Sequence, residues 1–414
     1  MTPPDRTHHD EPLSIDDIRR AAASTVGVVR RTPVLSSRTL ARRTGINVAL
    51  KAENLQRTGS FKLRGALAKI ASLEGPCDGG VVTASAGNHA QAVAYAARER
   101  GLECEVFMPE SAPISKANAT TALGARVHLV GETVSESLAA AEDRARESGL
   151  AFVHPFDDPV VIAGQGSLGL ELVEQVPELS RVIVPVGGGG LISGVAIAVK
   201  SQLPEVEVIG VQAEACAPLL ASLEAGEPVA VKSARTIADG IAVKRPGRIT
   251  LELIDRWVDA LVVVTEDEVA EAMVFLLERA KLVVEGAGAV GVAAVLAERI
   301  ESGGGGTTAV ILSGGNVDPG LLAQIARRHE SQAGRRYVLL ARLPDRPGSL
   351  ALLLTLIGDT GANVLDVEHI REGFDLHVRE SAVQLVLETR GPEHAEQVRR
   401  TVREAGYDKP LVIR

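Results

Sequence analysis

Four short segments carry residue types that can do chemistry. The first, GSFKLRGA at residues 59–66, places Lys62 between an aromatic and an apolar residue, ahead of an Ala-rich helix. A lysine amine acts as a nucleophile or a general base once its surroundings lower its pKa. Taken alone, the segment favours an ordinary surface cation, so its interpretation depends on the other three segments.

Two further segments are suited to anions. SAGNHAQ at residues 85–91 follows the apolar run GGVVTA and opens a helix, where unpaired backbone N–H groups favour a carboxylate. An ordinary helix cap is the alternative. VPVGGGGL at residues 184–191 lies between a strand and a helix, and its four glycines can direct backbone N–H groups at a phosphate. It matches no nucleotide-binding motif.

The fourth segment, LSGGN at residues 312–316, ends an apolar run. It places the Ser313 hydroxyl at the carboxyl end of a strand, where open α/β sheets bind ligands, although a plain turn has the same pattern. Each segment is modest by itself. Their joint occurrence in this order indicates a single site built from distant parts of the chain.

The elements that position these segments are typical of a doubly wound α/β fold. From about Val48 to residue 320, apolar runs like those of buried parallel strands alternate with Ala-rich stretches of helical period. Ser14 and Asp17 have capping-box spacing, which predicts the start of a helix. We expect residues 1–13 to be disordered, because they begin with a polar, Pro-rich stretch.

The last part of the chain follows a different order. HESQAGRR at residues 329–336 breaks the alternation, so we expect a catalytic region at 14–330 and a second domain at 337–414. The second domain reads as a strand, a helix, two strands, a helix and a final strand, LVIR. That order is the ferredoxin-like βαββαβ arrangement.

Composition limits the possible functions. The chain has 414 residues, 45% of them hydrophobic and 23% charged, and its formal net charge of -9 gives no reason to expect nucleic-acid binding. Cys77, Cys104 and Cys216 are scattered, which fits a reducing compartment and argues against disulfides or structural zinc. With no apolar signal segment and no membrane-length run, we expect a soluble, cytoplasmic protein.

Together the motifs resemble the fold type II (β-family) pyridoxal-phosphate (PLP) enzymes, specifically the threonine and serine dehydratases. The resemblance runs from about Ser14 to residue 325 and rests on ENLQRTGSFKLRGA, TASAGNHAQAVA, HPFDDPVVIAGQGS, PVGGGGLISG and LSGGN. It implies an α/β catalytic region like the tryptophan synthase β subunit, with open, twisted, mostly parallel sheets. A smaller subdomain at about 55–153 would be inserted in the larger one.

The same resemblance implies residue roles. Lys62 forms the covalent link to pyridoxal 5'-phosphate, Phe61 packs beside the ring, Asn88 bonds the 3-oxygen and Ser313 bonds the pyridine nitrogen. The cofactor phosphate is bound by Gly187, Gly188, Gly189, Gly190 and Leu191. The substrate carboxylate is received by Ser85, Ala86, Gly87, Asn88 and His89. No metal is expected: Glu214 matches the first ligand of a cation site in some relatives, but the following ACAPLL lacks the expected carboxylate.

The implied reaction is β-elimination of water from L-threonine, which gives 2-oxobutanoate and ammonia in the first step of isoleucine biosynthesis. L-Serine and 3-hydroxyaspartate remain alternative substrates. Related racemases carry a second serine where this chain has Ala86, so racemisation is at most a side activity. A non-catalytic amino-acid sensor is the alternative from another class.

Residues 337–414 resemble an ACT regulatory domain. The resemblance rests on LPDRPGSL at residues 343–350, followed by Asn363 and Val364. It implies an amino-acid effector, such as isoleucine, at the strand-to-helix turn; a module that only mediates assembly is the alternative. Because such domains usually pair, a homo-oligomer is expected, a dimer or a tetramer.

Overall fold

The computed structural model describes residues 13–73, 79–233, 235–301, 305–371 and 376–407. Cys77, the final strand expected at residues 411–414 and most of the N-terminal segment expected to be disordered lie outside these ranges. Leu13 belongs to that segment but is buried, packing in one apolar cluster with Ile18. The helix expected to start at Ser14 is confirmed, with both hydrogen bonds of the capping box formed.

Within the described ranges, thirteen strands form three sheets. The strands are β1 (Val34–Ser36), β2 (Val48–Ala52), β3 (Val81–Ala84), β4 (Cys104–Met108), β5 (Arg126–Leu129), β6 (Ala151–Phe152), β7 (Leu179–Pro185), β8 (Glu207–Ala213), β9 (Ala260–Val264), β10 (Thr307–Leu312), β11 (Arg336–Pro344), β12 (Asn363–Ile370) and β13 (Glu380–Glu388). Apart from the final strand at residues 411–414, the apolar runs expected to be strands lie in this set.

Fifteen α-helices occur in the same ranges. They are α1 (Ile15–Ser24), α2 (Arg38–Thr44), α3 (Lys62–Ala71), α4 (Asn88–Glu99), α5 (Ile114–Ala122), α6 (Val134–Ser148), α7 (Pro159–Gln175), α8 (Gly190–Lys200), α9 (Pro218–Ala225), α10 (Arg248–Trp257), α11 (Glu266–Phe275), α12 (Gly286–Leu296), α13 (Pro319–Gln332), α14 (Ser349–Asp359) and α15 (Pro392–Glu404). Most of them connect parallel strands, which require such crossovers.

The larger sheet has six strands in the order β1-β2-β10-β7-β8-β9. All neighbouring pairs are parallel except β1 with β2. Its apolar side chains pack with those of α7 and α8, and α12 packs on β7, β8 and β10. Buried on both faces, these strands are nearly continuous runs of Val, Ile, Leu and Ala, as parallel strands usually are.

The smaller sheet has four parallel strands in the order β5-β4-β3-β6. Its strands all fall between β2 and β7 in the sequence, so the chain leaves the larger sheet and later returns to it. β5 is less buried than its apolar sequence suggested: as an edge strand it leaves Leu129 52% exposed. Two open, mostly parallel sheets confirm the predicted α/β fold.

The chain divides into two compact units, Met1–Val317 and Asp318–Arg414. In the second unit, β11, β13 and β12 form an antiparallel sheet in that order, accompanied by α14 and α15. The division lies ahead of the boundary expected at residues 329–336, because α13 packs on β11 and is grouped with the second unit. The described elements from β11 onwards follow the predicted order up to α15.

Candidate active site

The segments that carry Lys62 and Ser313 lie side by side, although they are far apart in the sequence. The Phe61 N–H donates to the Ser313 carbonyl at 3.0 Å, and the Gly315 N–H donates to the Gly59 carbonyl at 2.9 Å. This antiparallel bridge precedes α3 and fixes the start of the helix that carries the amine. Ser313 directly follows β10 and is only 3% exposed.

The Lys62 amine is held at the segment that follows β6. Its Nζ donates to the Pro155 carbonyl at 2.8 Å and lies 5.3 Å from the centre of the Phe61 ring. Burial lowers the pKa of Lys62 to about 8, and the Glu285 carboxylate only partly opposes this shift. A larger fraction of the amine is therefore uncharged near neutral pH than in an exposed lysine, as a nucleophile or base requires.

The loop between β3 and α4 meets the same cleft. Ser85 Oγ accepts a hydrogen bond from the Gly87 N–H at 3.1 Å, which fixes the turn ahead of Asn88. No described side chain caps α4, so its first N–H groups remain for an anion. Ser85, Ala86 and Gly87 are half-buried and line the cleft with Lys62. This geometry suits the carboxylate expected here.

The side chain of His89 is bonded to the backbone beside β6. Its Nε2–H donates to the Val153 carbonyl at 3.1 Å, and the residue is 2% exposed. Burial and, to a smaller extent, the nearby Lys62 amine lower the pKa of His89 to about 3. The imidazole is therefore neutral at ordinary pH, and it ties α4 to the end of β6.

Asn88 has two polar partners to which the sequence analysis gave no role. Its Nδ2 donates to Glu285 Oε1 at 2.6 Å, and its Oδ1 accepts from Asn316 Nδ2 at 2.8 Å. Asn316 ends the LSGGN motif, while Glu285 is a single acid within the apolar and small-residue run VVEGAGAV. That isolated charge is a signal from which Glu285 could have been found.

The glycine turn leaves no room for side chains. A Cβ at Gly188 would lie 2.3 Å from the Phe156 ring, and one at Gly189 would lie 2.7 Å from Thr250 Cβ. The outer two glycines would place a Cβ 2.9 Å and 2.8 Å from backbone atoms. The Thr250 hydroxyl donates to the Gly188 carbonyl at 2.7 Å. The turn is thus a backbone cradle at the N-terminus of α8, which fits a phosphate.

Asp157 links this cradle to the lysine. Its carboxylate accepts hydrogen bonds from the Arg248 N–H at 3.0 Å and the Thr250 N–H at 3.1 Å, so it caps α10. The same short segment supplies the Pro155 carbonyl that holds Lys62. HPFDDP is one of the segments on which the family resemblance rests, but its pattern alone predicts no role for these side chains.

A buried ionic network supports α3 next to Lys62. Arg64, 1% exposed, donates to both carboxylate oxygens of Glu53 at 2.8 and 2.9 Å and to Glu171 at 2.7 Å. Lys51 Nζ, also buried, contacts Glu171 at 2.5 Å. Burial opposes the charged form of Glu53, but the Arg64 guanidinium outweighs it and lowers the pKa of Glu53. Two cations and two carboxylates therefore balance inside the fold.

The lysine, the asparagine loop and Glu285 line one cleft of about 2000 Å³. Among the described residues, no three His, Cys, Asp or Glu side chains converge as a metal site. Glu214 is exposed at the end of β8. Among all the residues that the structure describes, no helix is both long and apolar enough to span a bilayer.

Known proteins share this architecture. A family profile described as Pyridoxal-phosphate dependent enzyme matches residues 26–314. The chain belongs to this family. An L-threonine ammonia-lyase from Thermotoga maritima is 46% identical over 401 residues, which cover 97% of this chain and all of the relative. The family and its cofactor, pyridoxal phosphate, confirm the prediction.

Solved structures resemble about three quarters of the chain. A threonine deaminase whose source is given as T.th. has a TM-score of 0.69 and 43% identity, and the match covers 74% of this chain and 99% of that one. A maize serine racemase has a TM-score of 0.73 and 36% identity, covering 78% and 99%. These matches confirm the fold type II architecture.

The residues present fit the cofactor of this family. The cradle at Gly187–Gly190 excludes side chains and suits a phosphate, while Lys62 offers an amine of lowered pKa in the neighbouring cleft. Asn88 lines that cleft, and the Lys62 and Ser313 segments are joined by backbone hydrogen bonds. An anion site, an amine and polar groups for a heterocycle thus occur together.

Proposed function

We propose that this chain is a threonine ammonia-lyase, which removes water from L-threonine by β-elimination and releases 2-oxobutanoate and ammonia. The Lys62 amine carries the proposal, because its pKa is about 8 and it shares a cleft with the N-terminus of α4. The choice of threonine is supported by the Thermotoga maritima relative, which matches nearly the whole chain and is named for that substrate.

Lys62 has two tasks in this proposal. Its amine would hold the cofactor covalently, and the same amine would take the proton from the substrate α-carbon as general base. Bound pyridoxal phosphate supplies an electron sink for the bonds at that carbon. The Pro155 carbonyl, 2.8 Å from Nζ, holds the amine in place while it carries the proton.

The remaining cofactor contacts in this proposal are those that the family resemblance implies. Gly187, Gly188, Gly189, Gly190 and Leu191 hold the phosphate at the start of α8. Phe61 would pack beside the ring, Asn88 would donate to the 3-oxygen, and the Ser313 hydroxyl would lie at the pyridine nitrogen. A neutral hydroxyl, unlike an aspartate, does not keep that nitrogen protonated, which favours prompt loss of the β-hydroxyl over transamination.

The substrate carboxylate binds in the loop Ser85–His89, through the N–H groups that open α4. Ala86 bears a methyl group, which has no proton to give to the opposite face of the α-carbon. This difference supports elimination over racemisation, although a serine racemase is among the structural neighbours.

Steady-state release of 2-oxo acid from L-threonine and from L-serine tests the reaction. We expect faster turnover of threonine with some serine activity, because a one-methyl difference gives only about 10- to 200-fold discrimination. Lys62→Ala abolishes turnover, whereas Lys69→Ala, on the same helix and paired with Asp158 at 2.6 Å, retains it. If Lys62→Ala releases ammonia at the wild-type rate, the assignment of the base is wrong.

Two other outcomes lead to the alternatives. Turnover confined to serine or to 3-hydroxyaspartate would keep the chemistry and change the substrate. Without turnover of any hydroxy amino acid, the chain would be an amino-acid sensor. A visible absorbance band that is lost in Lys62→Ala separates a cofactor-loaded protein from a sensor that uses only its C-terminal unit.

For the C-terminal unit we propose a regulatory ACT domain that places the reaction in isoleucine biosynthesis. Its support is a cavity of about 230 Å³ at the strand-to-helix turn, lined among others by Arg342, Pro344, Arg346, Ser349, Glu380 and Tyr407. A cytoplasmic homo-oligomer that isoleucine inhibits is expected. Threonine turnover with and without isoleucine tests this, and activity indifferent to isoleucine would leave another effector or assembly as the role.

A further inference from the structure

The Asn88 amide is held by a series of hydrogen bonds in which each donor and acceptor role is fixed. The Thr58 carbonyl accepts from Asn316 Nδ2 at 2.8 Å, and the same Nδ2 donates to Asn88 Oδ1 at 2.8 Å. Asn88 Nδ2 in turn donates to Glu285 Oε1 at 2.6 Å. Each of these hydrogen bonds joins residues from two different segments of the polypeptide.

The Thr58 carbonyl fixes the direction of this series of hydrogen bonds. A backbone carbonyl only accepts hydrogen bonds, so Asn316 must present its NH₂ group to Thr58. That NH₂ group then requires an oxygen from Asn88. A flipped Asn88 amide would set its NH₂ against the Asn316 NH₂, which repels at any pH, and its oxygen against Glu285, which repels whenever that carboxylate is ionised. The Asn88 amide therefore has a single stable orientation. One N–H of its NH₂ group donates to Glu285, and the other is available to a ligand.

Three glycines make space for this arrangement. A Cβ at Gly59 would lie 2.3 Å from Asn316 Oδ1, and one at Gly314 would lie 2.3 Å from Glu285 Oε1. At Gly240 the distance to Glu285 Oε1 would be 3.2 Å. Two of these glycines belong to the Lys62 and Ser313 motifs, which explains part of the glycine content of those motifs.

Glu285 is suited to accept this hydrogen bond at any working pH. It is 3% exposed and immediately precedes α12, and burial, together with Asp239, raises the pKa of Glu285 to about 7. A carboxylate and the carbonyl oxygen of a protonated carboxyl group both accept from an N–H. Its role toward Asn88 therefore does not require a particular protonation state.

We propose that Glu285 and Asn316 are positioning residues for the cofactor, which act through Asn88. They hold its amide so that an N–H, and not the carbonyl oxygen, faces the 3-oxygen of pyridoxal phosphate. The inference rests on the Asn88 contact in the proposed function. With that contact in place, an N–H favours the anionic form of the 3-oxygen, whereas a carbonyl oxygen would repel it.

The test measures the affinity of the apo-protein for pyridoxal phosphate and the visible absorbance of the loaded protein. We expect Glu285→Ala and Asn316→Asp each to weaken binding about 10- to 100-fold, the range for losing a hydrogen bond to a charged group. Both changes should also lower the visible band and increase absorbance at shorter wavelength, because the 3-oxygen takes up a proton.

Two variants serve as matched controls. Glu285→Gln retains an acceptor oxygen and should keep an affinity and a band close to wild type. Asn54→Ala removes another amide of the same region, one that donates to the Val283 carbonyl at 3.1 Å, and it should change neither readout. Unchanged Trp257 fluorescence shows that each variant remains folded.

The outcomes separate the claims. If Asn88→Ala weakens binding while Glu285→Ala and Asn316→Asp behave as wild type, the positioning roles are refuted. If Glu285→Gln is as defective as Glu285→Ala, charge matters rather than amide orientation, and the proposal also fails. If Asn88→Ala itself has no effect, the contact is wrong and the inference falls with it. The threonine assay reports separately on the proposed reaction.

Discussion

Replacement of Arg64 by methionine tests whether the buried ionic network stabilises the catalytic unit. Arg64 is 1% exposed and binds Glu53, which is fully buried. Methionine has a similar length but no charge, so Glu53 would lose both guanidinium contacts while remaining away from water. The nearest remaining cation in the network, Lys51, binds Glu171 rather than Glu53.

Removal of one partner from a buried ion pair costs about 3–5 kcal/mol, because the other charge remains buried and unpaired. For comparison, Arg43 pairs with Glu271 at 2.6 Å, but both side chains are about half exposed, at 50% and 45%. Exposed pairs of this kind contribute about 1 kcal/mol or less. Arg43→Met is therefore the matched control.

Urea unfolding followed by Trp257 fluorescence measures the difference. Trp257 is the only tryptophan in the chain and lies on α10, so the signal reports on the catalytic unit. With a denaturant slope near the upper end of about 1–3 kcal/mol per molar, Arg64→Met should lower the midpoint by roughly 1–2 M. All samples contain the same excess of pyridoxal phosphate, since ligand binding adds to apparent stability.

A double variant keeps the test informative if Arg64→Met folds poorly. Glu53→Gln combined with Arg64→Met removes both charges, so it should recover about 1 kcal/mol or more relative to Arg64→Met alone. Arg64→Met no more destabilised than Arg43→Met would refute the reasoning. A double variant less stable than Arg64→Met would also contradict it, because the cost could not then come from an unpaired Glu53.

Three further predictions concern the cleft and the neighbouring glycine turn. The rate at which pyridoxal phosphate attaches covalently to the apo-protein should rise about tenfold per pH unit up to a midpoint near pH 8, because burial lowers the pKa of Lys62 to about 8. Stopped-flow absorbance measures this rate. A midpoint at the pKa of an exposed lysine would contradict the prediction. Gly188→Ala should weaken cofactor binding about 5- to 100-fold, since its Cβ meets the Phe156 ring at 2.3 Å, while Gly358→Ala, with no atom within 4 Å, should not. His89 should show no NMR titration between roughly pH 5 and 8, because burial lowers its pKa to about 3.

Local patterns in the sequence predicted many of the strands and helices and the motifs at their ends. Apolar runs predicted β7 and β10, and the spacing of Ser14 and Asp17 predicted the start of α1. Lys62, the asparagine loop, the glycine turn and Ser313 all occur at strand–helix junctions or beside them, as expected. These features depend on a few neighbouring residues, so their physical cause is contained in short stretches of chain.

The tertiary structure decided which distant groups meet. Asn88 is bonded to Glu285 and Asn316, each more than 190 positions away in the sequence. Phe156 and Thr250 explain why the turn at 188–190 must be glycine. Such contacts depend on the order of strands in each sheet and on where the smaller sheet is inserted. No local period encodes that order, so the partners of the motif residues could be found only after the sheets were assembled.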